Sequence, residues 1–216
     1  MPKNHKPKSV IREWVESILI AFVLAMFIRT YFIQPFKIPS GSMRPTLVEG
    51  DHLFVDKLTY GPILLPEIHA PEWLQGKADI HWPQFLAPLS KVRLPGFGKP
   101  QRGDVVVFIY PEDRGKDFIK RLIGLPGDTV EIRDGRVFIN GQEVMDPRIH
   151  NIYYYNRGNY GAEGGVLKIP EGKYFMMGDN SGSSHDSRYW GFVDEKDLIG
   201  KARLLFWPLD RVRFIK

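Results

Sequence analysis

The sequence predicts an all-β domain of twisted antiparallel sheets or a partly open barrel, preceded by one N-terminal transmembrane helix. Three observations carry that prediction. A turn followed by a strand recurs at Gly50-Asp51, Gly103-Asp104 and Gly127-Asp128, each leading into β-branched and aromatic residues. Fourteen Phe, nine Tyr and five Trp lie among many Val and Ile, a composition that suits pleated, half-buried surfaces. No long amphipathic helical pattern follows the apolar stretch near the N-terminus, which leaves strands as the building unit.

That apolar stretch is eleven uninterrupted residues, 18–28, within a wider segment of nineteen, 15–33. As a helix the wider segment is about 28 Å long, close to the ~30 Å hydrocarbon core of a bilayer. Trp14, Tyr31 and Phe32 suit the two interfaces, and Arg29 can snorkel to the headgroups. A cleaved signal segment is one rival, but no small-x-small cleavage site follows. A buried core helix is another, but the run has no polar face. The expectation is an uncleaved anchor over 14–33, with a basic tail, 1–13, on the cytoplasmic side and residues 34–216 outside.

Charge agrees with a membrane partner. Of the net +5, Lys3, Lys6, Lys8, Arg12 and Arg29 against Glu13 and Glu16 place +3 before residue 34. A nucleic-acid partner is not expected, because it would need that charge clustered on the folded domain. The chain has no cysteine, which excludes disulfides and cysteine metal sites. His52, His69, His81 and His150 are scattered without metal-ligand spacing, so no metal or other cofactor is expected.

Beyond the anchor, Pro39-Ser40-Gly41-Ser42-Met43-Arg44-Pro45-Thr46-Leu47 reads as a constrained bend. Pro39 favours an extended Ile38, Gly41 allows a turn and Pro45 fixes the exit. It is either a linker leaving a membrane segment or a site that presents Ser42 as a nucleophile. Residues 61–100 are Pro-rich and form an insertion outside the main sheet. Its Trp73, Leu74, Trp82, Phe85 and Leu86 are expected to lie against a bilayer or to pack as a lid. Residues 117–123 alternate as a strand, and Asp134-Gly135 and Asn140-Gly141 signal tight hairpins around 136–139. Residues 149–165 read as a loop, 173–177 as a strand, and 198–206 and 212–215 as closing strands.

A serine nucleophile needs a base. Ser184-His185-Asp186 mimics a compressed triad, yet neighbours on an extended chain point apart, so His185 reads as a loop residue. Lys120 is the alternative. Alternation sets Phe118, Lys120 and Leu122 on one face and Ile119, Arg121 and Ile123 on the other. Apolar neighbours on its own face would desolvate Lys120 and lower its pKa. A lysine snorkelling at a sheet edge is the plainer reading of the same residue.

The bend at 39–47 combines with Gly103-Asp104, with the run 117–128 that holds Lys120 and ends in Gly127-Asp128, and with the run 178–192 that opens Gly178-Asp179-Asn180. Together, in this order, they closely resemble bacterial type I signal peptidase. The resemblance implies a Ser/Lys endopeptidase, with a β-rich catalytic domain over 34–216, that removes signal peptides from exported preproteins. It would act on the outer face of the cytoplasmic membrane, with membrane lipids as neighbours. It further implies Ser42 as nucleophile, Lys120 as general base and Ser184 as the hydroxyl that orients the lysine. Ser40 and the Ser42 backbone N–H would stabilise the oxyanion, and Asp186 and Arg188 would be structural. Phe36, Ile38, Met43, Leu47, Val107, Phe118 and Ile119 match positions lining pockets for small substrate side chains.

The chain departs from the family pattern at Ser181-Gly182, where Arg-Asp is frequent. One anchor rather than two is expected, and 133–172 is too short for a large accessory domain. Two other classes compete: a self-cleaving Ser/Lys repressor, which would need a helix-turn-helix, and a membrane-tethered β-rich binding module without catalysis.

Overall fold

The apolar N-terminal segment becomes a helix, α1 (Val10–Tyr31), of 22 residues with no buried side chain. The computed structural model describes residues 10–65, 86, 89 and 92–215. No helix among them is long and apolar enough to cross a membrane, which corrects the expected transmembrane span. The physical reason is charge: Arg12, Glu13, Glu16 and Arg29 leave only residues 18–28 free of polar interruption. Eleven helical residues rise about 16 Å, roughly half of a hydrocarbon core. The helix also stops short of the expected boundary, because Ile33 already belongs to a strand.

The strands follow in chain order. They are β1 (Ile33–Lys37), β2 (His52–Asp56), β3 (Val105–Ile109), β4 (Asp117–Gly124), β5 (Thr129–Arg133) and β6 (Arg136–Ile139). Then come β7 (Gln142–Glu143), β8 (Leu167–Lys168), β9 (Lys173–Met177), β10 (Val193–Asp194), β11 (Leu198–Trp207) and β12 (Arg213–Phe214). Two four-residue helices, α2 (Pro147–His150) and α3 (Ser187–Trp190), interrupt them. The larger sheet is antiparallel in the order β1-β2-β11-β3-β4-β9-β10, with β12 also on β11. Register shifts in β11 and between β4 and β9 curl it. The smaller sheet runs β7-β6-β5-β8. Its hairpins turn at Asp134-Gly135 and Asn140-Gly141, where all four residues have positive φ, as the mirror-image turns of tight hairpins require.

Three apolar clusters hold this arrangement. Strand β3 is buried along its whole length, as its unbroken Val-Val-Val-Phe run implies. Val105 and Val107 face one cluster with Ile38, Met43, Leu47, Leu53 and Leu205. Val106 and Phe108 face another with Leu122, Met176 and Leu198. A third fills the space between the two sheets, around Ile123, Ile132, Tyr154, Ile169 and Phe175. The loop 149–165 is therefore more than a surface connection, since Tyr154 is fully buried.

Two ties fix the end of α1 to the segment that follows β2. Lys57 Nζ donates to the Thr30 carbonyl at 3.1 Å, and the Tyr31 hydroxyl donates to Leu64 O at 2.9 Å. Burial pushes Lys57 down to about 8. The expectations for Trp73, Leu74, Trp82 and Phe85 fall outside the described residues, and with them the bulk of the insertion; its base closes with a bridge between Ile63 and Arg93.

Candidate active site

The bend after β1 is closed at its base: Ile38 N–H donates to Asp51 O, and Gly50 N–H donates back to Ile38 O. On top of that base a 3-10 turn, Gly41–Met43, presents Ser42, while Met43 and Leu47 plug into the core at full burial. The bend is thus anchored by apolar side chains, with a hydroxyl at its crest. Lys120 reaches it from β4, 78 residues away, donating from Nζ to Ser42 Oγ at 2.7 Å. A second donation, to Ile119 O at 3.0 Å, fixes the amine.

Lys120 is 3% exposed and Ser42 9%. Burial pushes the lysine down to about 8, and the raising pull of Asp186 and Asp179 does not offset it. Its Nζ lies 5.3 Å from the Phe118 ring centroid, so the two share a face as the alternation predicts. Arg121, on the opposite face, makes a buried two-pronged pair with Asp179 at 2.8 and 2.6 Å. A basic and a nucleophilic group thus meet in a nearly dry site, where proton transfer between them is geometrically direct.

The run 178–188 forms the opposite wall. Asn180 N–H donates to Ser42 O, and its side-chain amide donates to Gly41 O, both at 3.0 Å. Asp186 accepts from Gly178 N–H at 3.0 Å and from Arg188 Nε and Nη2, both at 2.8 Å; the side chains of this pair are wholly buried. Gly178 has to be glycine. A Cβ there would stand 2.2 Å from Ser184 Oγ and 2.5 Å from Ser42 O.

Ser184 reaches the site differently from the expectation. Its Oγ is buried without a hydrogen-bond partner among the described residues, so the expected bond to Lys120 is not formed here. Ser40 is close, with Oγ 3.5 Å from Ser42 Oγ. Of the residues expected to line substrate pockets, Ile38, Met43, Leu47 and Val107 lie in the core, with Phe36 and Ile119 half-buried against it. Only Phe118 among them also borders the cleft that holds Ser42 and Lys120. That cleft has a volume of about 480 Å³ and is also lined by Ser40, Asn180 and His185. A larger hollow of about 980 Å³ lies beyond Asn180, bordered by Arg148, Tyr153 and Arg213, but it contains neither Ser42 nor Lys120.

The sequence marks Gly178-Asp179-Asn180 as part of a motif but gives none of the three a role. The signal was present in the Gly178-Asp179-Asn180 run, whose turn-forming residues have structural reasons to stand together. His185, expected as a loop residue, touches neither Ser42 nor Lys120 by hydrogen bond.

The sequence model of a family described as "Signal peptidase, peptidase S26" matches residues 11–207. A signal peptidase I of Bacillus licheniformis is 35% identical over 219 residues, covering 98% of this chain and 96% of its own. One from Pseudomonas fluorescens is 34% identical over 239 residues, covering 95% of this chain and 75% of its own. The crystal structure of a signal peptidase I from Enterococcus faecalis is 39% identical, with a TM-score of 0.39, and covers 48% of this chain and 96% of that one.

Proposed function

The chain belongs to the signal peptidase family, peptidase S26, and is a serine endopeptidase; from that premise we propose that it removes signal peptides from exported preproteins with a Ser42/Lys120 dyad. The observation that carries the dyad is the 2.7 Å contact between a buried lysine and the serine at the crest of the bend. In its neutral form Lys120 accepts the hydroxyl proton as Ser42 Oγ attacks the scissile carbonyl. The Ser42 backbone N–H and the Ser40 hydroxyl stabilise the oxyanion. Lys120 then passes the proton to the leaving amine, and water releases the acyl group by the same route. The unpartnered Ser184 hydroxyl is free to take the amine as it turns between these tasks. Asp186 with Arg188, and Asp179 with Arg121, hold the wall in place.

Cleavage after a small residue, with another small residue two positions upstream, is the expected specificity: Phe118 borders the cleft, and Phe36, Ile38, Val107 and Ile119 pack in the core cluster of Met43, the residue after Ser42. The exposed apolar side chains of α1 support attachment to the cytoplasmic membrane, with the β domain on its outer face and lipids in contact with the helix.

Incubating the full chain with a preprotein that carries an Ala-x-Ala site tests this reading. Cleavage is expected after the second Ala and is lost in Ser42→Ala. Efficient cleavage after Phe or Lys would overturn the specificity, and full activity of Ser42→Ala would overturn the mechanism.

A further inference from the structure

His185 borders the cleft beside Ser42, Lys120 and Phe118 with its side chain 53% exposed. It is not a mobile surface group. Its ring lies 5.0 Å from Trp190 and 4.9 Å from Tyr189, centroid to centroid. Its Nε2 is 3.2 Å from the Tyr110 hydroxyl oxygen and 3.9 Å from a Glu112 carboxylate oxygen. Tyr110 in turn stacks on Phe118 at 4.2 Å, tying this group to the cleft wall.

Counting protons assigns the histidine's tautomer. Tyr110 donates its one hydroxyl hydrogen to the Glu112 carboxylate. Burial and that carboxylate push the phenol up to about 12, so the hydrogen stays on it. The Tyr110 oxygen therefore has only lone pairs to offer His185, and Nε2 must be the ring's N–H donor. In the neutral ring Nδ1 is then an acceptor, and it has no partner among the described residues. The edge of the cleft at Phe118 and His185 thus carries a hydrogen-bond acceptor that no described residue uses.

We propose that His185 is a specificity-determining residue of this peptidase, accepting a hydrogen bond at Nδ1 from a hydroxyl or amide side chain of the substrate residue that lies against the Phe118–His185 wall. The proposal rests on the Ser/Lys reading of the cleft and adds a preference for Ser, Thr, Asn or Gln at one position near the cut. Neither Ser42 nor Lys120 depends on it, because His185 touches neither.

The test uses the full chain and a peptide with an Ala-x-Ala site. The residue between the two alanines, and each of the two after the cut, is varied in turn between Thr and Val, which have the same shape. At one of these positions Thr is expected to exceed Val by about fivefold in kcat/KM, carried by KM, as one net hydrogen bond allows. His185→Ala should bring that ratio to one and leave kcat on the Val peptide unchanged, while His185→Gln, which keeps an acceptor, should restore part of it. Equal Thr/Val ratios in the wild type and His185→Ala would overturn the proposal, as would a loss of kcat on every peptide in His185→Ala. Failure of the underlying dyad reading would appear separately, as cleavage by Ser42→Ala.

Discussion

Replacing Lys120 by arginine is expected to abolish turnover as completely as replacing it by alanine, a loss of about a thousandfold or more. Arginine keeps positive charge and length but stays protonated throughout the accessible pH range, so it cannot take the Ser42 proton. If Lys120 served only as a fixed cation for the oxyanion, arginine would retain much of the rate. The comparison therefore separates a base from an electrostatic prop. Urea denaturation must accompany it. The site is nearly dry, so a permanent guanidinium at a position 3% exposed also costs stability. Initial rates on a model peptide, normalised to folded protein, check the prediction; appreciable activity in Lys120→Arg would move the base role elsewhere.

The second large effect concerns folding. Arg188→Met is expected to cost about 3–5 kcal/mol, the usual penalty for stranding one member of a buried ion pair. Asp186 would be left buried without its guanidinium partner at the start of α3, and the donations from Arg188 to Tyr155 O at 2.8 Å and to Ser181 O at 2.9 Å would go with it. That is a large part of the 5–15 kcal/mol that holds an ordinary domain together. The double variant Asp186→Leu/Arg188→Met should be less destabilised than Arg188→Met alone, because no unpaired charge remains. Urea midpoints of the wild type, Asp186→Leu, Arg188→Met and the double variant decide it. A double variant as unstable as the sum of the two single changes would mean that the hydrogen bonds, rather than the charge, dominate.

Much of the β architecture was legible because its signals are local. Each Gly-Asp turn opened a strand, and Asp134-Gly135 and Asn140-Gly141 adopted the positive φ that tight hairpins require. Strand β1 was not legible, since Pro35 interrupts it and it follows the apolar helix after one residue. The division into two sheets depends on long-range pairing that no window reveals, such as β11 lying between β2 and β3.

The site shows the same split. Alternation along β4 placed Lys120 and Arg121 on opposite faces, and their surroundings follow that division. Their partners, Ser42 and Asp179, lie 78 and 58 residues away, and spacing alone offers no reason to choose them. Ser184 was expected to bond the lysine, yet with Gly178 packed against it the hydroxyl has no partner among the described residues. His185 was set aside because it could not form a triad with its neighbours, and nothing local announces Tyr110 at 75 residues' distance.

The measurement closest to the central claim is the pH dependence of kcat/KM on an Ala-x-Ala peptide, which reports the free enzyme's base. A free lysine, with a pKa near 10.4, is well under ~1% neutral at pH 8. Lys120, pushed down to about 8, is about half neutral there, so the rate should rise with pH through that value and level off above it. Lys57 is also pushed down to about 8, so the profile is recorded in Lys57→Met as well, where it should persist. A rise centred near 8 in both proteins is the expected result; a rise that follows an ordinary histidine, near 6.5, and vanishes in His185→Ala would contradict the assignment of Lys120 as base.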